Sequence, residues 1–202
     1  MNQASLLHKA ALSFGERPAV TAGRNVLYNY RDLSDRAARL GGAMANALGL
    51  NKGDRVAIMM KNAPAFFEVL YGAWHAGLNA VPINAKLHPR EAAYILENSG
   101  ARVCFITDDL NATITPLVGE IPGLEAVIPT TGADYDALIE GPAVPMVDCA
   151  PEDIAWLFYT SGTTGRPKGA IATHRSLIAL HGLMNPIECR LSGADRILVT
   201  TP

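Results

Sequence analysis

The sequence predicts an α/β fold: a parallel sheet with helices packed on both faces. Three observations predict it. Short apolar runs such as "RVAIMM", "NAVPIN" and "RVCFIT" read as strands buried on both sides. Segments with apolar residues at helical spacing separate those runs. Glycine or proline punctuates most of the junctions.

Taken in order, Leu6, Leu7, Ala10, Ala11 and Phe14 form the apolar face of a first helix that stops near Gly15 and Pro18. "AVTAGRNVLYNY" reads as a short hairpin turning at Gly23. A longer helix carries Leu33, Ala37, Leu40, Met44 and Leu48 on one side and ends at Gly49. After the strand "RVAIMM", Pro64 opens a helix through Phe67, Leu70, Tyr71 and Trp74, closed by Gly77. The aromatic residues on it are read as packing. "NAVPIN" is the next strand, "REAAYILENS" the helix after Pro89, and "RVCFIT" the strand after Gly100. A short helix over 111–118 and the strand "LEAVIP" complete an α/β portion spanning 3–131.

Residues 132–153 change character, with three prolines and two glycines, and are expected to form a connector holding one short helix at "YDALIE". Over 154–202 the pattern predicts a strand "DIAWLFYT", a polar loop, a second strand "GAIATH", a helix "SLIALHGLMN" and a final strand "RILVTT".

Composition narrows the function classes. With 49% hydrophobic and 18% charged residues in 202, the chain is globular. Seventeen basic and nineteen acidic residues leave a net charge of −2, which predicts neither a nucleic-acid partner nor a polybasic membrane patch. No apolar run approaches the roughly 18 residues of a membrane span, and the N-terminus lacks the pattern of a signal peptide. Cys104, Cys149 and Cys189 are far apart and odd in number, so reduced thiols and a cytoplasmic location are expected.

The polar loop carries the chemistry. From Thr160 to Lys168 the chain places four hydroxyls, two glycines, a proline and two cations in succession. Gly162 and Gly165 let backbone N–H groups approach a ligand closely. Thr160, Ser161, Thr163 and Thr164 add hydroxyl donors, and Lys168 adds a mobile cation. Together they make a cradle for phosphate oxygens. The plainer reading is a Ser/Thr/Gly hairpin with a solvated lysine; nine polar or special residues directly after a buried strand favour the cradle. The triphosphatase loop G-x-x-x-x-G-K-[ST] is excluded, because Lys168 precedes Gly169 and Ala170 stands where a hydroxyl is required. That loop also needs a helix directly behind it. His174 is read as opening the following helix, and His181 as a core or groove residue.

"YTSGTTGRPKGAIATHRSL" closely resembles the phosphate-loop signature of the AMP-forming adenylating enzymes, the superfamily of acyl-CoA synthetases, peptide-synthetase adenylation domains and firefly luciferase. The resemblance extends upstream through "AG…VPIN", where Asn84 is more similar to acyl-CoA synthetases, and covers essentially the whole chain. It implies the N-terminal part of the adenylate-forming fold, incomplete at residue 202. The implied reaction joins a carboxylic acid to ATP as an acyl-adenylate, then passes the acyl group to coenzyme A. By resemblance, Thr160, Ser161, Gly162, Thr163, Thr164, Gly165 and Lys168 embrace the β- and γ-phosphates, Lys168 is the catalytic residue, and Thr160 lies near Mg2+. The family's adenine, ribose and C-terminal lysine elements lie downstream of this sequence. The expectation is therefore a fragment of an acyl-CoA synthetase that lacks its C-terminal portion and is inactive alone. The alternatives are a non-catalytic nucleotide-binding or protein-interaction module of that fold, or a peptide-synthetase adenylation domain.

Overall fold

Asn29 ends a short hairpin and caps the helix that follows, its side chain accepting from the Asp32 N–H at 2.8 Å. The hairpin consists of β1 (Pro18–Ala22) and β2 (Asn25–Asn29), and it lies between helices α1 (Ser5–Phe14) and α2 (Tyr30–Asn46). The computed structural model describes residues 1–160, 166–184, 187, 190 and 192–199.

Beyond α2, strands and helices alternate: β3 (Arg55–Met59), α3 (Ala65–His75), β4 (Asn79–Pro82), α4 (Pro89–Ser99) and β5 (Ala101–Ile106). Short helical turns follow around α5 (Asn111–Ile114), then β6 (Ala126–Pro129) and α6 (Ala133–Glu140). The chain then returns across the sheet to β7 (Ile154–Thr160), β8 (Lys168–Thr173) and α7 (His174–Ala179), with a wide turn at Leu180–Met184.

Six strands form one sheet in the order β6-β5-β3-β4-β7-β8. The first five run parallel and β8 alone runs antiparallel to its neighbour. Each inner strand feeds two cores because successive side chains alternate. On β3, Val56 and Ile58 face the cluster around Trp74 and Phe105, while Ala57 and Met59 face the one around Ile95 and Ile106. Helices α2 and α3 cover the first face and α4 the second, so the helices-on-both-faces expectation holds. The α2–α3 crossing is close: a Cβ on Gly41 would lie 2.9 Å from the Gly72 carbonyl oxygen. Glu68, 1% exposed, is held between α2 and α6 by Arg36 at 3.0 Å and the Tyr135 hydroxyl at 2.9 Å.

The connector is pinned on its way across. His75 Nε2 meets the Val144 carbonyl at 2.7 Å, and the Val147 N–H donates to the His75 carbonyl at 2.9 Å. The last predicted strand differs from expectation. Of "RILVTT", Arg196–Val199 pairs with no strand among the described residues, and residues 200–201 lie outside them. An apolar run forms a strand only where a sheet edge completes its backbone hydrogen bonds. The predicted helix over 176–185 forms, starting two residues earlier at His174 and widening after Ala179 to Met184, while Asn185 lies outside the described residues.

Candidate functional site

Register builds the site. Across the β7–β8 hairpin, Thr160 pairs with Lys168, Tyr159 with Gly169, Phe158 with Ala170 and Leu157 with Ile171. Thr160 and Lys168 therefore stand side by side on the last rung, at the carboxyl end of a parallel strand. Ligands of open α/β sheets bind at those carboxyl ends. Both residues are exposed. Among the described residues, no carboxylate lies within ion-pair distance of the Lys168 ammonium. Ser161, Gly162, Thr163, Thr164 and Gly165 lie outside the described residues.

The residues flanking that run are held from one side. The Tyr159 hydroxyl donates to Asn98 Oδ1 at 2.7 Å. Arg166 places its guanidinium carbon 5.9 Å from the centre of the Tyr94 ring. Burial, followed by the neighbouring Tyr94, raises the Tyr159 pKa above its usual value. Gly169 faces the Tyr159 ring so closely that a Cβ there would lie 3.1 Å from the ring's Cζ. Sequence reasoning did not find Tyr94 or Asn98 as neighbours of the loop. The four-residue spacing of Tyr94 and Asn98 places both on one helix face, but nothing local reveals what that face meets.

Behind the hairpin, Thr173 caps α7, accepting from the Ser176 N–H at 3.2 Å. His174 is fully buried, and its Nδ1 accepts from the Gln3 N–H at 3.0 Å. That bond places the imidazole proton on Nε2, which has no partner among the described residues. His181 Nδ1 meets the Gln3 side-chain amide at 2.7 Å. Burial lowers the pKa of both histidines. The geometry supports His174 as a helix-opening residue turned inward, away from Lys168.

Among the described residues no cluster of three His, Cys, Asp or Glu could hold a metal ion. No described helix is long and apolar enough to cross a membrane. A groove of about 450 Å³ beside the N-terminus, lined by Met1, Leu6, Lys9, Met146 and Ile178, contains no hairpin residue.

Comparison with known proteins shows the family. The chain is 34% identical to the long-chain-fatty-acid–CoA ligase FadD13 of Mycobacterium tuberculosis, over 98% of this chain and 39% of that protein. It is 32% identical to the 3-hydroxybenzoate–CoA/4-hydroxybenzoate–CoA ligase of Thauera aromatica, over 83% of this chain and 34% of that protein. The chain thus spans less than half the length of these relatives. Among solved structures, the N-terminal domain of FACL13 from Mycobacterium tuberculosis superposes with a TM-score of 0.76 at 34% identity, covering 86% of this chain and 44% of that one. The anthranilate CoA ligase AuaEII, in complex with anthranoyl-AMP, gives 0.84 at 26% identity, covering 93% and 36%. A family model described as "AMP-binding enzyme" matches residues 7–202, and the chain belongs to that family.

Proposed function

We propose that this chain carries the phosphate-binding element of an ATP-dependent carboxylate–CoA ligase, within part of the AMP-binding domain. The observation that carries the reading is the pairing of Thr160 with Lys168 at the exposed mouth of the hairpin, closing a run of glycines and hydroxyls. An ammonium and hydroxyls at the carboxyl end of a parallel strand suit the β- and γ-phosphates of ATP. In the overall reaction, a carboxylate oxygen attacks the α-phosphorus and pyrophosphate leaves. The thiol of coenzyme A then attacks the acyl carbonyl and AMP leaves. Lys168 counters the charge that gathers on the departing phosphates, which is electrostatic stabilisation from a fixed position.

Magnesium suits six oxygen ligands and keeps several waters. Thr160 supplies one hydroxyl, so the ion is proposed to arrive with the nucleotide and take most of its ligands from phosphate and water. The relatives named above act on long-chain fatty acids and on hydroxybenzoates, so the proposed substrate class is a carboxylic acid without finer assignment.

Calorimetric titration of the 202-residue chain with Mg·ATP and with inorganic pyrophosphate tests the reading. Lys168→Ala is expected to weaken both by about tenfold or more, the scale of one charge-assisted hydrogen bond; Lys168→Arg recovers part of the loss. Equal affinity in Lys168→Ala and the unaltered chain overturns the proposal. The 202 residues alone are expected to show no carboxylate-dependent ATP–pyrophosphate exchange, and robust exchange overturns that part.

A further inference from the structure

Two contacts that no motif announces converge on one helix. Helix α4 is rigidly framed: Pro89 opens it, His88 and Glu91 exchange capping bonds, and Gly100 closes it in the left-handed conformation. Its buried Ile95 and Leu96 anchor it to the sheet. One turn of its hairpin-facing side presents the half-buried Tyr94 and the exposed Asn98, four residues apart. Tyr159 is the second residue before Ser161, and Arg166 is the residue after Gly165. The first donates to Asn98 and the second stacks over Tyr94.

We propose that α4 seats both limbs of the phosphate-binding hairpin from one side, with Tyr94 and Asn98 as positioning residues that fix Arg166 and Tyr159. The proposal rests on the phosphate reading of the hairpin. Neither residue touches the ligand in this scheme. Each fixes one described residue beside the loop, so that Tyr159 and Arg166 are already placed in the free protein. Gly169 belongs to the same device. Its missing side chain leaves the seat on which the Tyr159 ring lies, which keeps the hydroxyl directed at Asn98.

The test uses the 202-residue chain and inorganic pyrophosphate. Tyr94→Leu keeps an apolar side chain but removes the ring face; Asn98→Ala removes the acceptor. Each is expected to weaken pyrophosphate binding roughly three- to tenfold, the effect of one cation–π or neutral hydrogen-bond contact. Tyr94→Phe keeps the ring face and is expected to bind like the unaltered chain, and a cycle with Arg166 separates loss of the stack from loss of volume. Arg166 is itself a cation, so Tyr94→Leu, Arg166→Ala and the double variant are compared as a cycle. Non-additive losses support the stack, whereas additive losses mean that Arg166 acts directly on the anion and overturn the Tyr94 role. Hydrogen exchange of the Lys168–Thr173 amides without ligand is a second readout, expected to quicken in Tyr94→Leu and Asn98→Ala but not in Tyr94→Phe. If the unaltered chain binds pyrophosphate and neither variant alters binding, the α4 role falls while the phosphate reading stands. If the unaltered chain binds no pyrophosphate, the phosphate reading falls and takes the positioning role with it.

Discussion

At His174 the polypeptide buries an ionisable ring completely and uses one nitrogen of it to receive a backbone N–H from Gln3. His181 Nδ1 lies 2.7 Å from the Gln3 side-chain amide nitrogen. The His174 ring must be neutral on the accepting nitrogen for its bond to exist. For His174, burial lowers the pKa, partly opposed by Asp153 and reinforced by the N-terminal amine and Lys52; for His181, burial alone lowers it. His75 shifts the same way, again chiefly through burial. The unfolded chain therefore binds more protons than the folded one once the pH drops below the ordinary histidine value of about 6.5. Stability from these sites is fully present above that value and is lost as pH falls toward the lowered folded pKa values. Urea midpoints measured from pH 7.5 down to 5 should fall accordingly, and His174→Gln, which removes one titrating ring, should reduce the slope. A slope unaffected by His174→Gln would sink the assignment. The sequence marked His174 as standing before "RSL" but could not show that residue 3, far away in the chain, is its partner.

Between elements, the tightest crossing is that of α2 and α3. Gly41 and Gly72 face one another there, and Leu40, Ala37 and His75 surround the contact. A β-carbon at position 41 would fall at 2.9 Å from a carbonyl oxygen that belongs to backbone and cannot swing aside. Gly41→Ala is therefore expected to cost about 1–3 kcal/mol through overpacking, despite the better helix propensity of alanine. Denaturant unfolding reads it, and a stabilised variant would contradict the crossing. The elements themselves were largely legible. Pro89 with Gly100 framed α4, and the unbroken apolar runs of β3 and β5 announced strands buried on both faces. The "RILV" part of "RILVTT" pairs with no described strand, because residue type reports a preference for extended backbone while a strand also needs a neighbouring edge.

On the scale of the whole molecule, exposed large apolar side chains gather toward the end of the described chain: Phe158, Ile171, Leu180, Ile187, Ile197, Leu198 and Val199. Phe158 and Ile171 lie on the β7–β8 hairpin, whose outer strand has no partner on its far side among the described residues. Apolar side chains beside an open edge favour association. The 202-residue chain is therefore expected to self-associate, its light-scattering mass rising with concentration above the 21.5 kDa monomer. Ile171→Lys should suppress the rise, and a concentration-independent monomer would refute the expectation.

The sequence by itself determined the fold class, most of the elements and the position of the Thr160–Lys168 run, because periodicity, caps and turn residues act over a few neighbours along the chain. Only the tertiary structure decided that β7 lies beside β4, that Thr160 stands opposite Lys168, and that Tyr94 and Asn98 meet the hairpin's two flanks. Those relations depend on which faces bury each other across long loops. That choice is settled by packing the whole sheet, and no local pattern encodes it.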